Sequence, residues 1–221
     1  MEKIKSHIKN NQLTIAKHWK ICSLIGALLF VLFVFFTFMV RADLLRSFDF
    51  DMTVRIQDDI PLRFDYFFSI MSVVGRFEYM IGLLVLIILF RKRILGVIPF
   101  FLFGFAHVIE LVGKTILEQP GPPRMFLRAQ FGDFPGIHVF TDASYPSGHS
   151  LRAVFLTIIV VYLINKLNIP TAIKQFSNVA ILAVLFLVLI SRISLGEHWT
   201  TDVIGGGLLG ASFAFLSLIF L

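Results

Sequence analysis

Ser191-Arg192-Ile193-Ser194-Leu195-Gly196-Glu197-His198-Trp199-Thr200-Thr201-Asp202 sets an Arg, a His and an Asp at spacings of six and four, between two apolar runs. Charged side chains at the mouth of a hydrophobic helix are costly unless they have work to do. A second cluster, Tyr145-Pro146-Ser147-Gly148-His149-Ser150, stands at the start of another apolar run. Two histidines, an arginine and a Ser-Gly turn at helix ends point to phosphate chemistry at a bilayer surface.

The runs around these clusters decide the class. The 221 residues are 57% hydrophobic, with 26 Phe, and the mean hydropathy is +0.85. A soluble domain is roughly 45–50% apolar. The chain is therefore expected to be an all-α, polytopic membrane protein. Its single cysteine, Cys22, excludes an intrachain disulfide. Six apolar runs are predicted as transmembrane helices: 19–40, 66–90, 95–117, 151–164, 171–190 and 203–221. A span needs about 20 residues. The fourth run is short, but residues 147–150 and 165–167 extend it. The first is too long for a signal peptide, and no small-x-small cleavage site precedes Arg41.

Residues 1–18 are basic, with Ile4, Ile8, Leu13 and Ile15 interspersed. They read as an interfacial helix leading into span one, or as a frayed tail. Residues 19–221 form one six-span unit, with no internal repeat and no second soluble domain.

Lysines set the topology. Lys3, Lys5, Lys9, Lys17 and Lys20 precede span one, Lys92 lies between spans two and three, and Lys166 and Lys174 between four and five. An even number of spans puts all of these on one side, the expected cytoplasmic side of the cell membrane. Both termini then face the cytoplasm. Every acidic residue except Glu2 falls on the far side or within a span. Both polar clusters lie on that outer face.

Two loops join them there. Residues 41–65 mix acids with apolar side chains and are expected along the membrane surface. Residues 118–149 open with Pro120-Gly121-Pro122-Pro123, a rigid turn ending span three. Their Met125, Phe126, Leu127, Phe131, Phe134 and Phe140 need a surface to bury them. A loop of this length is either functional or packing on the helix tops.

His198 and Asp202 are four apart, so on a helix they share a face. An Asp holding one imidazole nitrogen fixes the tautomer and leaves the other nitrogen as a nucleophile. A helix N-terminus favours anions, so the pair suits attack on phosphorus. The plainer alternative is an Asp serving the helix dipole beside a satisfied His. Arg192 can bind two phosphate oxygens, or snorkel to lipid headgroups. Ser147-Gly148-His149 opens span four either as an oxyanion cradle, with His149 to protonate a leaving oxygen, or as a helix cap.

Together, "PSGH" at 146–149 and "SR-x5-H-x3-D" at 191–202 resemble the second and third motifs of the type 2 phosphatidic acid phosphatases, membrane lipid phosphatases related to vanadium haloperoxidases. That resemblance implies a six-helix core with both motifs on one side. It implies His198 as a nucleophile forming a phosphohistidine, with Asp202 orienting it. His149 would act as general acid and later as the base that activates water. Arg192, Ser147 and Gly148 would hold the phosphoryl oxygens, and no metal or other cofactor would be needed. The first family motif, Lys-x6-Arg-Pro, is only half present. Lys114 and Pro122 match, but Gly121 occupies the Arg position. Arg124, directly after the Pro pair, is the expected replacement, with Arg128 the next nearest.

His107, Glu110 and Lys114 share a face of span three, at i, i+3 and i+7. They are read either as a network supporting Lys114 or as a pair joining span three to a neighbour. Arg76, Glu78 and Arg152 are further polar candidates. The expected function is hydrolysis of a lipid phosphomonoester or pyrophosphate, such as undecaprenyl pyrophosphate or phosphatidylglycerol phosphate. The expected partners are that lipid and the bilayer, not nucleic acid. The competing readings are a lipid phosphotransferase and a non-catalytic lipid-phosphate binder.

Overall fold

The computed structural model describes residues 2–74, 81–82, 85, 97–128 and 143–221. Most of the second predicted span, Arg76, Glu78, the basic loop around Lys92, and Phe131, Phe134 and Phe140 lie outside the described residues. What is described is helical: α1 (Glu2–Arg41), α2 (Arg46–Asp59), α3 (Asp65–Val74), α4 (Val97–Leu117), α5 (Gly148–Lys166), α6 (Thr171–Ser194) and α7 (Thr200–Ser217). Short 3-10 turns cover Leu62–Phe64 and Arg124–Phe126. No strand occurs among the described residues.

Among the described residues, four helices are long and apolar enough to cross a membrane: His18–Arg41 within α1, then α4, α5 and α6. Residues 2–17 continue α1 without a break, so the expected boundary at residue 18 is one of composition, not of backbone. No Pro interrupts α1 to stop the helix. The fourth run does extend at both ends. Ser147 caps it, and Gly148 begins it. Span three is described from Val97 and ends at Leu117, just short of Pro120. The acidic loop after span one is not irregular. It holds α2, which turns Asp49 and Thr53 inward and leaves Phe48 and Phe50 exposed.

The last helix is the hub. α7 packs against α5 and α1 most extensively, then against α4. Its contact with α5 rests on two glycines a turn apart. A Cβ on Gly206 would run into the Ser147 carbonyl, and one on Gly210 into the Leu151 carbonyl. Removing both side chains lets the two backbones approach closely, as in small-xxx-small packing. Leu209, Phe213 and Ala214 of α7 then close a core with Leu151, Phe155 and Ile159 of α5.

The outward faces are apolar instead of polar. On α1, Leu24, Leu28, Val31, Phe35 and Phe38 are exposed, while Cys22, Phe33 and Val40 are buried. Phe176, Val179, Leu182 and Phe186 are exposed on α6. So large an apolar surface is stable only against lipid. The chain is a multi-pass membrane protein, and its polar interior lies where α5, α6 and α7 meet.

Candidate active site

α6 ends at Ser194, and the chain must reverse within five residues to enter α7 at Thr200. Gly196 makes the turn possible with φ +70, a conformation that a side chain disfavours. The amides of Glu197 and His198 both donate back to the Arg192 carbonyl, at 3.0 and 3.1 Å. This closes the end of α6 and holds His198 beside the start of α7. There the Asp202 carboxylate turns back and accepts the Trp199 amide at 2.8 Å. His198 Nδ1 lies 3.3 Å from the same oxygen, Oδ2. The sequence spacing thus holds, and the reason is capping: Asp202 satisfies an orphan amide of the first turn and meets His198 as it does so.

The α5 segment is fastened to the same point. The Ser147 amide donates to the Asp202 carbonyl at 3.0 Å, so the starts of α5 and α7 are directly bonded. Ser147 is fully buried, and its hydroxyl accepts the Ser150 amide at 3.5 Å. The capping alternative is realised. Gly148 is buried with its Cα against the Glu110 carboxylate. His149 is half-buried, within electrostatic reach of Arg192, Arg152, His198 and Lys114.

Arg192 does not snorkel. It is 5% exposed, its Nη2 pairs with Glu197, and its Nη1 donates to Ser72 of α3. Lys114 donates to Glu110 Oε1 at 2.9 Å, and His107 meets Glu110 Oε2 at 2.7 Å. The three-residue face on span three is therefore a connected network. Arg152 acts on Glu110 electrostatically and joins it.

The two candidate replacements for the first-motif arginine differ. Arg128 is tied to the outer helices: it donates to the Ile60 carbonyl at 2.8 Å, to Asp65 at 3.2 Å and to the Gln57 carbonyl. Its guanidinium is thereby occupied away from His198. Arg124 is exposed in its 3-10 turn and forms no ion pair among the described residues.

Electrostatics favour a neutral imidazole at His198. Burial lowers the His198 pKa below its ordinary value, and Arg192 and Lys114 lower it further against the opposing pull of Asp202. The ring is therefore uncharged near neutral pH. Burial also pushes Asp49 up to about 6, although its hydrogen bonds from Thr201 oppose the shift.

Sequence reasoning missed four participants: Ser144, Asp49, Ser72 and Glu197. Ser144 Oγ lies 3.0 Å from His198 Nδ1 and donates to Asp202 Oδ2. Asp49 of α2 caps the first turn of α7 through Thr201. No motif flags these positions. Only Glu197, inside the 191–202 stretch, carried a signal, as an acid five residues from Arg192.

A model of the PAP2 superfamily matches residues 82–221. Phosphatidylglycerophosphatase B of Bacillus subtilis (strain 168) is 31% identical over 148 residues, covering 64% of this chain and 68% of that protein. Undecaprenyl-diphosphatase of Sulfolobus acidocaldarius is 30% identical over 151 residues, covering 67% and 66%. Among solved structures, the transmembrane PAP2-type phosphatidylglycerolphosphate phosphatase from Bacillus subtilis superposes with a TM-score of 0.70 at 25% identity, over 87% of this chain and 94% of that one. LpxE of Aquifex aeolicus shares the fold, with a TM-score of 0.57 at 22% identity over 76% and 93%.

Proposed function

The chain belongs to the PAP2 superfamily, and from that membership we propose that it is a lipid phosphatase working through a phosphohistidine on His198. The substrate is a lipid phosphomonoester or pyrophosphate whose tail stays in the bilayer. Undecaprenyl pyrophosphate and phosphatidylglycerol phosphate are the leading candidates, being the kinds of lipid for which two of its relatives are named.

One observation carries the reading. Nδ1 of a half-buried, neutral His198 is engaged by Ser144 and Asp202, which leaves Nε2 to attack phosphorus. As the N–P bond forms, the bond from phosphorus to the lipid oxygen breaks, and that oxygen takes a proton from His149. Water activated by the now neutral His149 then attacks phosphorus, restoring His198 and releasing phosphate.

Negative charge builds on the phosphoryl oxygens, and fixed cations stabilise it. Lys114 and Arg192 supply two, with Ser147 and Gly148 donating from the start of α5. Both cations already hold carboxylates, Glu110 and Glu197, so they are oriented before substrate arrives. Arg124, exposed in the turn after Pro122-Pro123, is assigned as the third cation. The α7 start offers less than its sequence promised, because Asp202 and Asp49 take its first amides. The phosphoryl group is therefore assigned to the α5 side.

The charge is met by protein cations, so the reaction is metal-independent. On the lysine asymmetry, a six-span 19–221 unit behind the first 18 residues would carry the site on the outer face of the cytoplasmic membrane with both termini inside. The test is phosphate release from a panel of lipid phosphates in detergent. Wild-type protein should release phosphate, and folded His198→Ala should lose at least about three orders of magnitude. A folded His198→Ala within tenfold of wild type would remove the nucleophile assignment.

A further inference from the structure

Ser144 stands three residues before the cap of α5, 6% exposed. Its backbone is fixed from both sides. The Ser144 amide donates to the Gln119 carbonyl at 2.8 Å, and Ala143 pairs with Pro120. On the other side Tyr145 is fully buried, its ring stacked on Phe33 and its hydroxyl 2.8 Å from Thr37 of α1. So anchored, the Ser144 hydroxyl enters between His198 and Asp202.

The three distances order the contacts. Ser144 Oγ is 3.0 Å from His198 Nδ1 and in hydrogen-bond contact with Asp202 Oδ2, whereas Nδ1 to Oδ2 is 3.3 Å. The last lies beyond the usual N–H···O range of about 2.7–3.2 Å. A carboxylate only accepts, so the single hydroxyl proton of Ser144 goes to Asp202. Its oxygen is then left to accept from His198, which requires the imidazole proton to sit on Nδ1.

We propose that Ser144 is a positioning residue for the phosphatase reaction: its hydroxyl couples Asp202 to His198 and keeps the Nε2 lone pair free for attack. The inference rests on the proposed function. When Nε2 bonds to phosphorus the ring becomes cationic with its proton still on Nδ1. The lipid oxygen leaves with the electron pair of the broken bond and the proton of His149. The new positive charge is felt by Asp202 through Ser144 Oγ. No proton is transferred along this path; the hydroxyl fixes the tautomer and the ring angle.

The experiment compares Ser144→Ala, Ser144→Cys and Ser144→Thr with wild type and His198→Ala on one lipid phosphate in detergent, with folding followed by thermal midpoint. Ala and Cys should lower kcat about 10- to 100-fold, the scale of one lost charge-assisted hydrogen bond, with KM within about twofold. The acid limb of kcat/KM should move to lower pH, because the imidazolium loses a partner. Thr keeps the hydroxyl and should return kcat to within a few-fold of wild type. Its extra methyl is accommodated because Gly121, whose Cβ position lies 3.5 Å from the Ser144 side chain, has no side chain. A folded Ala or Cys variant with wild-type kcat would overturn the proposal. So would a folded Thr variant as slow as Ala, since packing alone would then explain the loss. If Ala does not fold, the nearly isosteric Cys variant decides. Wild-type protein that releases no phosphate from any lipid would instead overturn the proposed function.

Discussion

Asp49 receives both the amide and the hydroxyl of Thr201, at 2.8 and 2.6 Å, across 152 residues of sequence. A 3%-exposed carboxylate on the outer helix α2 thus caps the helix that carries Asp202. Both carboxylates crowd one helix start, where the dipole favours them. Burial nevertheless dominates and raises Asp49 to about 6.

The sign of the pH effect follows. With the folded pKa above the ordinary value of 3.8, the fold binds the Asp49 proton more tightly than the unfolded chain does. That stability is complete below about pH 4 and is lost as pH rises to about 6. Asn keeps both bonding partners and does not titrate. The thermal midpoint of Asp49→Asn minus that of wild type should therefore rise between pH 4 and 6 and be flat above. A difference that is constant or falling through this window contradicts the assignment.

His198 is held below its ordinary pKa of 6.5 by burial, then by Arg192 and Lys114. The acid limb of kcat/KM should accordingly lie below pH 6.5 and remain in Asp49→Asn, which separates it from the titration of Asp49. A limb above pH 6.5 would mean that Asp202 outweighs burial.

Gly121 leaves room for the absent cation. A Cβ there makes ordinary contacts with Ser144 at 3.5 Å, beside a cavity of about 400 Å³ bordered by Asp49, Gln119 and Trp199. Arg124→Ala should raise KM several-fold, and Gly121→Arg in that background should bring it back. An unchanged KM in Arg124→Ala would show that the site works without a third arginine.

Chelation should leave activity intact, since the proposed mechanism meets the phosphoryl charge with Lys114, Arg192 and Arg124. Phosphate release measured in excess EDTA is expected to equal the untreated rate. Abolition by EDTA, reversed by Mg²⁺, would replace this mechanism with a metal-assisted one.

The lysine asymmetry predicts which face is outside. In a Cys22→Ala background, Met125→Cys should react with an impermeant maleimide in intact cells, and Leu167→Cys should not. Both side chains are exposed, so burial does not explain a difference. The opposite pattern would turn the site toward the cytoplasm.

The sequence by itself determined the helical class and the starts of α5 and α7, where the chemistry gathers. Apolar run length is a local property, and so is capping. Ser147 and Trp199 stand one residue before α5 and α7 as a Ser-Gly-His and a Trp-Thr-Thr-Asp stretch would have them. The spacing of four between His198 and Asp202 held for the same local reason. The tertiary structure decided what those ends meet. Ser144 reaches His198 across 54 residues, and Asp49 reaches Thr201 across 152. Arg192 finds Ser72 across 120. Such contacts depend on how closely backbones pack; for Ser144, just before α5, that approach is set by Gly206 and Gly210 of α7, which lack side chains. A periodic pattern records which face of a helix is apolar. It does not record the distance to the neighbouring helix, and that distance brings these polar groups together.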